Sequence, residues 1–190
     1  DGSRFAYITI DAENQCRYII DGKKGMTIGR PGHLIFSRDS SRVAYGAWIG
    51  GKWYIISNGQ KGPAFEKIRF FSFSPFSSDL VYGGRLEAGG ACIVTNDQPG
   101  KSYQAVMVPV FSPDKKTLAY AATTMEDKMV MVVNGEEQKP YAAIGIPHQR
   151  RKDSLTFTAQ QPFFSPDGKR LAYPVFTENK EAFMVVDGQE

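Results

Sequence analysis

The sequence is poor in the residues that build metal centres and disulfide scaffolds, because its 190 residues include only two cysteines and two histidines. Two cysteines exclude a disulfide framework and a zinc site with four cysteine ligands. No apolar run approaches the roughly 20 residues that span a bilayer as a helix, and no signal-like segment follows the first residue. We therefore expect a soluble chain without a membrane span.

The sequence also has no large excess of positive or negative charge. The chain has 23 lysines and arginines against 20 aspartates and glutamates, a formal net charge of +3. Such a balance argues against a dedicated nucleic-acid-binding protein. Hydrophobic residues make up 42% of the chain and aromatic residues 13%, which is ordinary for a folded domain with a core. The length predicts a single domain.

What the sequence does contain is internal repetition. One pattern ends in tyrosine and recurs as DGSRFAY (1–7), FSRDSSRVAY (36–45), FSPFSSDLVY (73–82), FSPDKKTLAY (111–120) and FSPDGKRLAY (164–173). A second pattern follows each copy, as YIIDG (18–22), YIISNG (54–59), CIVTND (92–97), MVVNG (131–135) and MVVDG (184–188). The tyrosines repeat every 37 or 38 residues, and the last interval is longer by about 15 residues.

Each repeat predicts four short antiparallel strands, which we name A to D. An apolar strand A ends in a turn of the Ser-Pro-Asp-Gly type, and strand B carries the tyrosine, as expected of a hairpin. A variable loop leads to the β-branched strand C, and an Asp-Gly or Asn-Gly turn leads to a more polar strand D. Six positions after that turn, strand D carries a large residue: Ile28, Phe65, Tyr103 or Tyr141.

Four strands per repeat, apolar on both faces, predict an all-β fold, a β-propeller of four-stranded antiparallel blades with about five repeats visible. A β-sandwich is the competing architecture, but it does not explain the constant period. The patterns FSPDGKRLAY and VVDG resemble the Pro-Asp (PD40-type) repeat of TolB-like and WD40-like propellers, over the whole chain except the longer interval. The Trp-Asp dipeptide of typical WD repeats is absent. The positions that depart from the pattern are Arg38, Phe76 and Pro174.

The repeats set the expected boundaries. We expect one propeller domain or segment over residues 1–190, with repeats at about 1–35, 36–72, 73–110, 111–163 and 164–190. The longer interval predicts an insertion at about 147–161, in the connection between strands D and A. The first repeat begins at strand B and the fifth ends after strand C. This pattern predicts a segment of a propeller with six to eight blades, and a five-bladed ring with two incomplete blades is the alternative.

Binding residues are expected on one edge of the blades. The loops between strands B and C differ in every repeat, and variable loops on a rigid frame commonly carry specificity. We expect the insertion to project from this edge, where its basic residues suit a carboxylate or phosphate partner. An exposed tryptophan there is suited to anchor a sugar ring or a protein. Solvated surface residues are the alternative. The candidate partner-binding residues are Arg150, Arg151, Lys152, His148 and Trp48.

Catalytic patterns are scarce. No Gly-x-Ser-x-Gly elbow and no calcium-loop spacing occurs, and His33 and His148 are both assigned to D–A connections. We expect no catalytic residue, no metal, no cofactor and no disulfide between Cys16 and Cys92. The carboxylates of the B–C loops are expected to be solvated: Asp11, Glu87, Glu126, Asp127 and Glu178.

The sequence thus predicts a non-enzymatic propeller scaffold that presents variable loops to a protein or glycan partner, with no nucleic-acid partner. The resemblance to TolB-like propellers implies a bacterial periplasmic or extracellular setting. Two other functions stay open: a non-catalytic gating propeller of a larger peptidase or hydrolase, and a structural subunit of an extracellular assembly whose strand edges pair with further blades or with another chain. A neighbouring α/β module with a nucleophile elbow would favour the peptidase.

Overall fold

The computed structural model describes residues 3–151, 154–158 and 161–190. Every regular element within these ranges is a β-strand. In the same ranges, no helix has the length and apolar character that a membrane crossing requires. The chain divides into two compact units, Asp1–Gly89 with Ile93–Pro99 and Gly90–Cys92 with Gly100–Glu190.

The strands described up to residue 99 are β1 (Ala6–Ile10), β2 (Cys16–Ile20), β3 (Lys23–Lys24), β4 (Arg30–Phe36), β5 (Val43–Ile49), β6 (Lys52–Ser57), β7 (Gln60–Lys61), β8 (Phe65–Phe73), β9 (Leu80–Leu86), β10 (Ala91–Thr95) and β11 (Gln98–Pro99). One antiparallel sheet has the strand order β1-β2-β3. A second has the order β11-β10-β9-β8-β6-β5-β4, with β7 also paired to β6.

The strands described after residue 99 are β12 (Ala105–Val106), β13 (Val110–Phe111), β14 (Leu118–Thr123), β15 (Met129–Val133), β16 (Glu136–Glu137), β17 (Ala143–Ile144), β18 (Ile146–Arg151), β19 (Ser154–Thr158), β20 (Phe163–Phe164), β21 (Leu171–Phe176) and β22 (Ala182–Val186). One sheet has the order β12-β14-β15-β16, with β13 also on β14. Another has the order β17-β21-β20, with β22 also on β21, and β18 pairs with β19 alone.

The sheets repeat one unit, the blade, in which strands A to D follow each other as an antiparallel meander. In the second repeat these strands are β4, β5, β6 and β7. Strand A meets strand B in one constant register, with pairs Phe36↔Val43, Phe73↔Leu80, Phe111↔Leu118 and Phe164↔Leu171. The fold prediction is therefore confirmed: the chain is all-β and is built from four-stranded antiparallel β-propeller blades.

The large residue predicted after the C–D turn pairs strand D with strand C near the end of the blade. It forms a single antiparallel bridge back to strand C and is at most 4% exposed in all four cases: Ile28, Phe65, Tyr103 and Tyr141. Apolar contacts also join neighbouring blades within each unit. The ring of Tyr18 lies 4.6 Å from that of Tyr45, and Met131 shares a core cluster with Tyr173. Such packing explains why the strands are apolar on both faces.

One serine and one aspartate organise the turn between strands A and B. In the fourth repeat the fully buried Ser112 hydroxyl donates to the Asp114 carboxylate at 2.6 Å and accepts from the Thr117 amide at 2.9 Å. The same two bonds occur in two further repeats, at Ser37 with Asp39 and at Ser165 with Asp167. The repeated serines are therefore turn residues, as the sequence analysis expects.

The Asn-Gly and Asp-Gly turns between strands C and D have a second role besides reversing the chain. Asn134 and Gly135 both have positive φ angles, 51° and 90°, as a two-residue type I′ turn requires. The Asn134 side chain also accepts a hydrogen bond from the Leu118 amide, at the start of strand B, at 2.8 Å. The equivalent bond occurs in the other repeats, at Asp21, Asn58, Asn96 and Asp187.

The additional residues of the fourth interval lie within strand A, whereas the sequence analysis placed them in the connection before it. Strands β17 and β20 both pair with β21, and the hairpin β18–β19 lies between them along the chain. The other A strands are interrupted at the same place, by register shifts in β4 and β8 and by the gap between β12 and β13. A bulge accepts extra residues because the ladder is already broken there.

Candidate binding site at the loop edge

The loop edge is the edge of each blade that carries the B–C loop. Three of these loops, 11–15, 124–128 and 177–181, differ in sequence but share one backbone geometry. In each, the first amide donates to the carbonyl of the fifth residue, and the Asp or Thr side chain of the first residue accepts from the amide of the fifth. The loops therefore differ mainly in the side chains that they present on a common frame.

Trp48 lies in strand β5, whereas the sequence analysis placed it in a loop. Its ring is half-buried and packs edge-on against Trp53, with 5.4 Å between ring centroids. The two residues are direct cross-strand neighbours just before the Gly50-Gly51 turn, which explains the contact. The part of Trp48 in partner binding stays a prediction. Its ring is held in place by Trp53 and is therefore not a freely exposed side chain.

The basic residues of the insertion are placed only in part. The backbones of His148, Arg150 and Arg151 belong to strand β18, so His148 is in a hairpin rather than in a D–A connection. Lys152 lies outside the described residues. Partner binding by these four residues therefore remains a prediction.

The carboxylates of the B–C loops bond to their own loop or to polar side chains elsewhere on the blades. Asp11 accepts from two amides of its own loop, and Asp127 accepts from the Gln104 side chain at 2.8 Å. Glu87 pairs with Lys52 at 2.5 Å and raises the pKa of that lysine, and Glu178 pairs with Lys128. Across the described ranges, no three His, Cys, Asp or Glu side chains are grouped so that they could hold a metal ion. Cys16 and Cys92 are buried free thiols.

His33 also differs from its expected position, because it lies at the bulge of strand β4 rather than in a connection. There it borders a cavity of about 380 Å³ within the first unit. The cavity has an apolar interior formed by strands β6 and β8, with Trp53, Ile55 and Phe71 among its lining residues. Lys67 and Arg69 also line it.

Two glycines keep this cavity open. A Cβ atom on Gly32 would lie 2.9 Å from the Cα atom of Gly46, which is closer than real Cβ atoms approach, so strands A and B can meet here only without a side chain at residue 32. Gly46 has no side chain to fill the space beside Trp53, whose ring is 4.0 Å from the position of a Cβ. The Tyr18 hydroxyl donates to the Gly32 carbonyl and holds the bulge from the other side.

The polar side chains among the lining residues of the cavity are all basic. His33, Lys67 and Arg69 are exposed, and none of the lining residues is acidic. In the described part of the chain, neither Lys67 nor Arg69 forms an ion pair, whereas neighbouring Glu66 pairs with Arg85 at 2.9 Å. The cavity therefore has an apolar interior, and its lining residues Lys67 and Arg69 form no ion pair with the described residues.

Sequence reasoning did not select the residues of this cavity, apart from noting His33. The segment IRFFSFS reads as a regular strand and does not reveal the register shift between Ile68 and Phe70, beside the residues that line the cavity. An arginine within an otherwise apolar strand A was the one visible signal.

No protein-family model matches the sequence, and no curated protein matches it. Among solved structures, the chain is similar to TolB from Acinetobacter baumannii at 16% identity and a TM-score of 0.42, over 97% of this chain and 50% of that one. It is also similar to the β-propeller domain of the Trilobed protease from Pyrococcus furiosus, at 12% identity and a TM-score of 0.48, over 100% of this chain and 67% of that one.

A third similar structure is an acylaminoacyl peptidase from Pyrococcus horikoshii, at 11% identity and a TM-score of 0.40, over 100% of this chain and 44% of that one. The chain thus spans half the length of the TolB structure and less than half of the peptidase. Likenesses of this size say nothing about activity, substrates or partners.

Proposed function

We propose that the chain is a non-enzymatic propeller scaffold that binds a protein partner through the loop edge of its blades. The observation that carries the proposal is the contrast between the two edges of a blade. At the edge with the A–B and C–D turns, serine, asparagine and aspartate side chains bond to the backbone of their own blade. At the loop edge, three loops with one backbone frame present different side chains.

The loop edge also offers the residue types that dominate protein interfaces. Trp48 and Trp53 form a half-buried aromatic pair, and Met125 in the fourth B–C loop is 62% exposed. Tryptophan, methionine and arginine are enriched at the centres of interfaces, where they contribute most of the binding energy. The basic residues of the insertion, Arg150, Arg151 and Lys152, are proposed to add charge-assisted bonds to an acidic partner surface.

Crosslinking from the two blade edges tests this proposal. A photoreactive amino acid at Met125, at the loop edge, should crosslink a partner in cells of the source organism. The same amino acid at Lys115, in an A–B turn, should not crosslink that protein. Equal crosslinking from both positions would contradict the proposal.

The identified partner then permits a direct comparison of variants. Replacing Arg150, Arg151 and Lys152 together by serine should weaken its binding at least tenfold, and wild-type binding should fall with salt. Replacing Lys24 and Lys61 of the C–D turns by serine is the control with a similar loss of charge. Equal losses in both variants would show that only net charge matters, and unchanged affinity of the triple variant would remove the insertion from the proposal.

A periplasmic or extracellular location belongs to the same proposal. Fractionation of cells of the source organism tests it, since a scaffold of this kind should be found with the envelope or in the medium. Recovery of the protein only with cytoplasmic markers would contradict that location.

A further inference from the structure

We infer that the cavity beside His33 is a binding site for a small organic anion, a carboxylate on an aromatic or aliphatic body. This inference goes beyond the proposed scaffold function and does not depend on it. It rests on three observations within the first unit: the size of the cavity, its apolar interior and the basic residues that line it, of which Lys67 and Arg69 form no ion pair with the described residues.

The size suits a small molecule. The cavity holds about 380 Å³, which falls at the lower end of the range of about 300–1,000 Å³ that small-molecule sites occupy. Its walls are strands rather than loops, so its shape is largely formed before a ligand arrives. The indole of Trp53 and the side chains of Ile55 and Phe71 offer an apolar contact surface to a flat or compact body.

The basic residues that line the cavity favour a negatively charged ligand. Lys67 and Arg69 come from the bulged part of strand β8, and His33 comes from the bulge of strand β4, so basic groups of two strands line one cavity. A guanidinium binds a carboxylate through two parallel hydrogen bonds, and an ammonium adds a point charge. The neighbouring carboxylates do not compete, because Glu66 pairs with Arg85 and Glu87 pairs with Lys52.

The two glycines indicate that the cavity is a built feature of the strands rather than a packing defect. Residues at the positions of Gly32 and Gly46 have no side chain to occupy the space, and Gly32 cannot be replaced without moving the strand beside it. Gly46 is extended backbone in strand β5, so an alanine there is compatible with the strand and would narrow the cavity next to Trp53. This position therefore provides a variant that alters the cavity without removing a charge.

The experiment uses biphenyl-4-carboxylate as the probe and the neutral biphenyl-4-carboxamide as its matched control. Titration calorimetry should show saturable binding of the carboxylate at one site and at least tenfold weaker binding of the amide. Trp53 lines the cavity and Trp48, the other tryptophan of the chain, packs against it, so tryptophan fluorescence should change at the same probe concentration.

Variants locate the site. Arg69→Gln should weaken binding of the carboxylate about tenfold and leave the weak binding of the amide unchanged. Gly46→Ala should weaken both probes, because it narrows the apolar interior. Arg38→Gln is the control, since this exposed arginine of the first unit donates to the Pro75 carbonyl and does not line the cavity. Circular dichroism and urea unfolding confirm that each variant is folded.

Four results would overturn the inference: no saturable binding of the carboxylate up to about 5 mM, equal binding of the amide, an equal loss in Arg38→Gln, or wild-type affinity in Arg69→Gln. Binding of the peptide acetyl-Asp-Phe-Asp-amide without binding of the carboxylate would also overturn it and would indicate a protein contact instead. None of these results bears on the crosslinking test of the scaffold function, so the two proposals fail separately.

Discussion

The two compact units of the chain join neighbouring blades by different contacts, although their blades share one backbone register. In the first unit two arginines join neighbouring blades at the edge with the A–B and C–D turns, besides the Lys52–Glu87 pair at the loop edge. Arg42 donates to the Ser78 carbonyl and to the side chains of Asn96 and Ser57, at 2.6–3.1 Å, and lies over the Phe73 ring at 5.7 Å. One repeat earlier, Arg4 donates to the Ser40 carbonyl at 2.8 Å and lies over the Phe36 ring at 5.1 Å, and its side chain also pairs with Asp21 of its own repeat. We name these contacts the arginine bridges.

In the second unit lysines beside the Tyr103 and Tyr141 rings make contacts between blades. Lys101 pairs with Glu137 at 2.7 Å and lies over the Tyr103 ring. One repeat later, Lys139 lies over the Tyr141 ring and pairs with Glu190, which also accepts from the Tyr141 hydroxyl at 2.9 Å. We name these contacts the lysine bridges.

The difference shows how a repeat protein can keep its fold while it exchanges the contacts between its units. Three positions before the closing tyrosine, the repeats carry Arg4, Arg42, Asp79, Thr117 and Arg170. Three positions after the Asn or Asp of the C–D turn, they carry Lys24, Lys61, Pro99, Glu137 and Glu190. The arginine bridges are largely buried and the lysine bridges are exposed, so the two sets should differ in strength.

The largest effect is expected from breaking an arginine bridge. The Arg42 side chain is only 20% exposed and makes several hydrogen bonds and an ion pair with Asp97, so Arg42→Ala leaves several partners unsatisfied. We expect it to lower the free energy of unfolding by about 2–4 kcal/mol. Urea denaturation measures this change.

The control for Arg42→Ala is Arg38→Ala. Arg38 is exposed and makes one hydrogen bond to the Pro75 carbonyl, at 3.2 Å, so its removal should change the free energy of unfolding by about 0.5 kcal/mol or less. Similar losses in the two variants would contradict the idea that burial gives the arginine bridge its strength.

A second prediction concerns the turn that both units share. Ser112→Ala removes the acceptor of the Thr117 amide and the donor to Asp114 at a fully buried position. We expect it to lower the free energy of unfolding by about 1–3 kcal/mol. Because the first unit has the same turn, Ser37→Ala should have a similar effect. Unequal losses would show that the turns, like the bridges, differ between the units.

A third prediction concerns acid, which titrates the turn aspartates found in both units. The Ser37 hydroxyl and the Ser41 amide and hydroxyl lower the pKa of Asp39 to about 2, and the Ser112 hydroxyl lowers the pKa of Asp114. Carboxylates with lowered pKa values stabilise the fold above their unfolded pKa, about 3.9. That stabilisation is lost as pH falls from about 4 towards 2.

The measurement is the urea midpoint at pH 5, 3 and 2, where the midpoint should fall with each step. Asp39→Asn should be less stable than the wild type at pH 5 and should lose less on acidification, because one titrating group is gone. A midpoint that falls equally in Asp39→Asn and in the wild type would show that this turn does not contribute to the acid response.

Most of the fold could be predicted from the sequence, because each turn and strand is repeated and each copy reports the same local requirement. The Ser-x-Asp and Asn-Gly signals are local, and their partners lie within about 16 residues. The positions of Trp48, His33 and the insertion could not be predicted. They depend on where strand A bulges, and a bulge changes the register without leaving a distinct residue pattern.

The smallest effect is expected from breaking a lysine bridge. The side chain of Lys101 is 64% exposed, so water and salt screen its attraction to Glu137, and Lys101→Ala should change the free energy of unfolding by about 0.5 kcal/mol or less. The change should shrink further in high salt, whereas the effect of Arg42→Ala should persist because that bridge is less exposed. Urea denaturation of both variants in low and high salt measures the contrast. A loss from Lys101→Ala as large as that from Arg42→Ala would show that the lysine bridges hold the second unit as firmly as the arginine bridges hold the first.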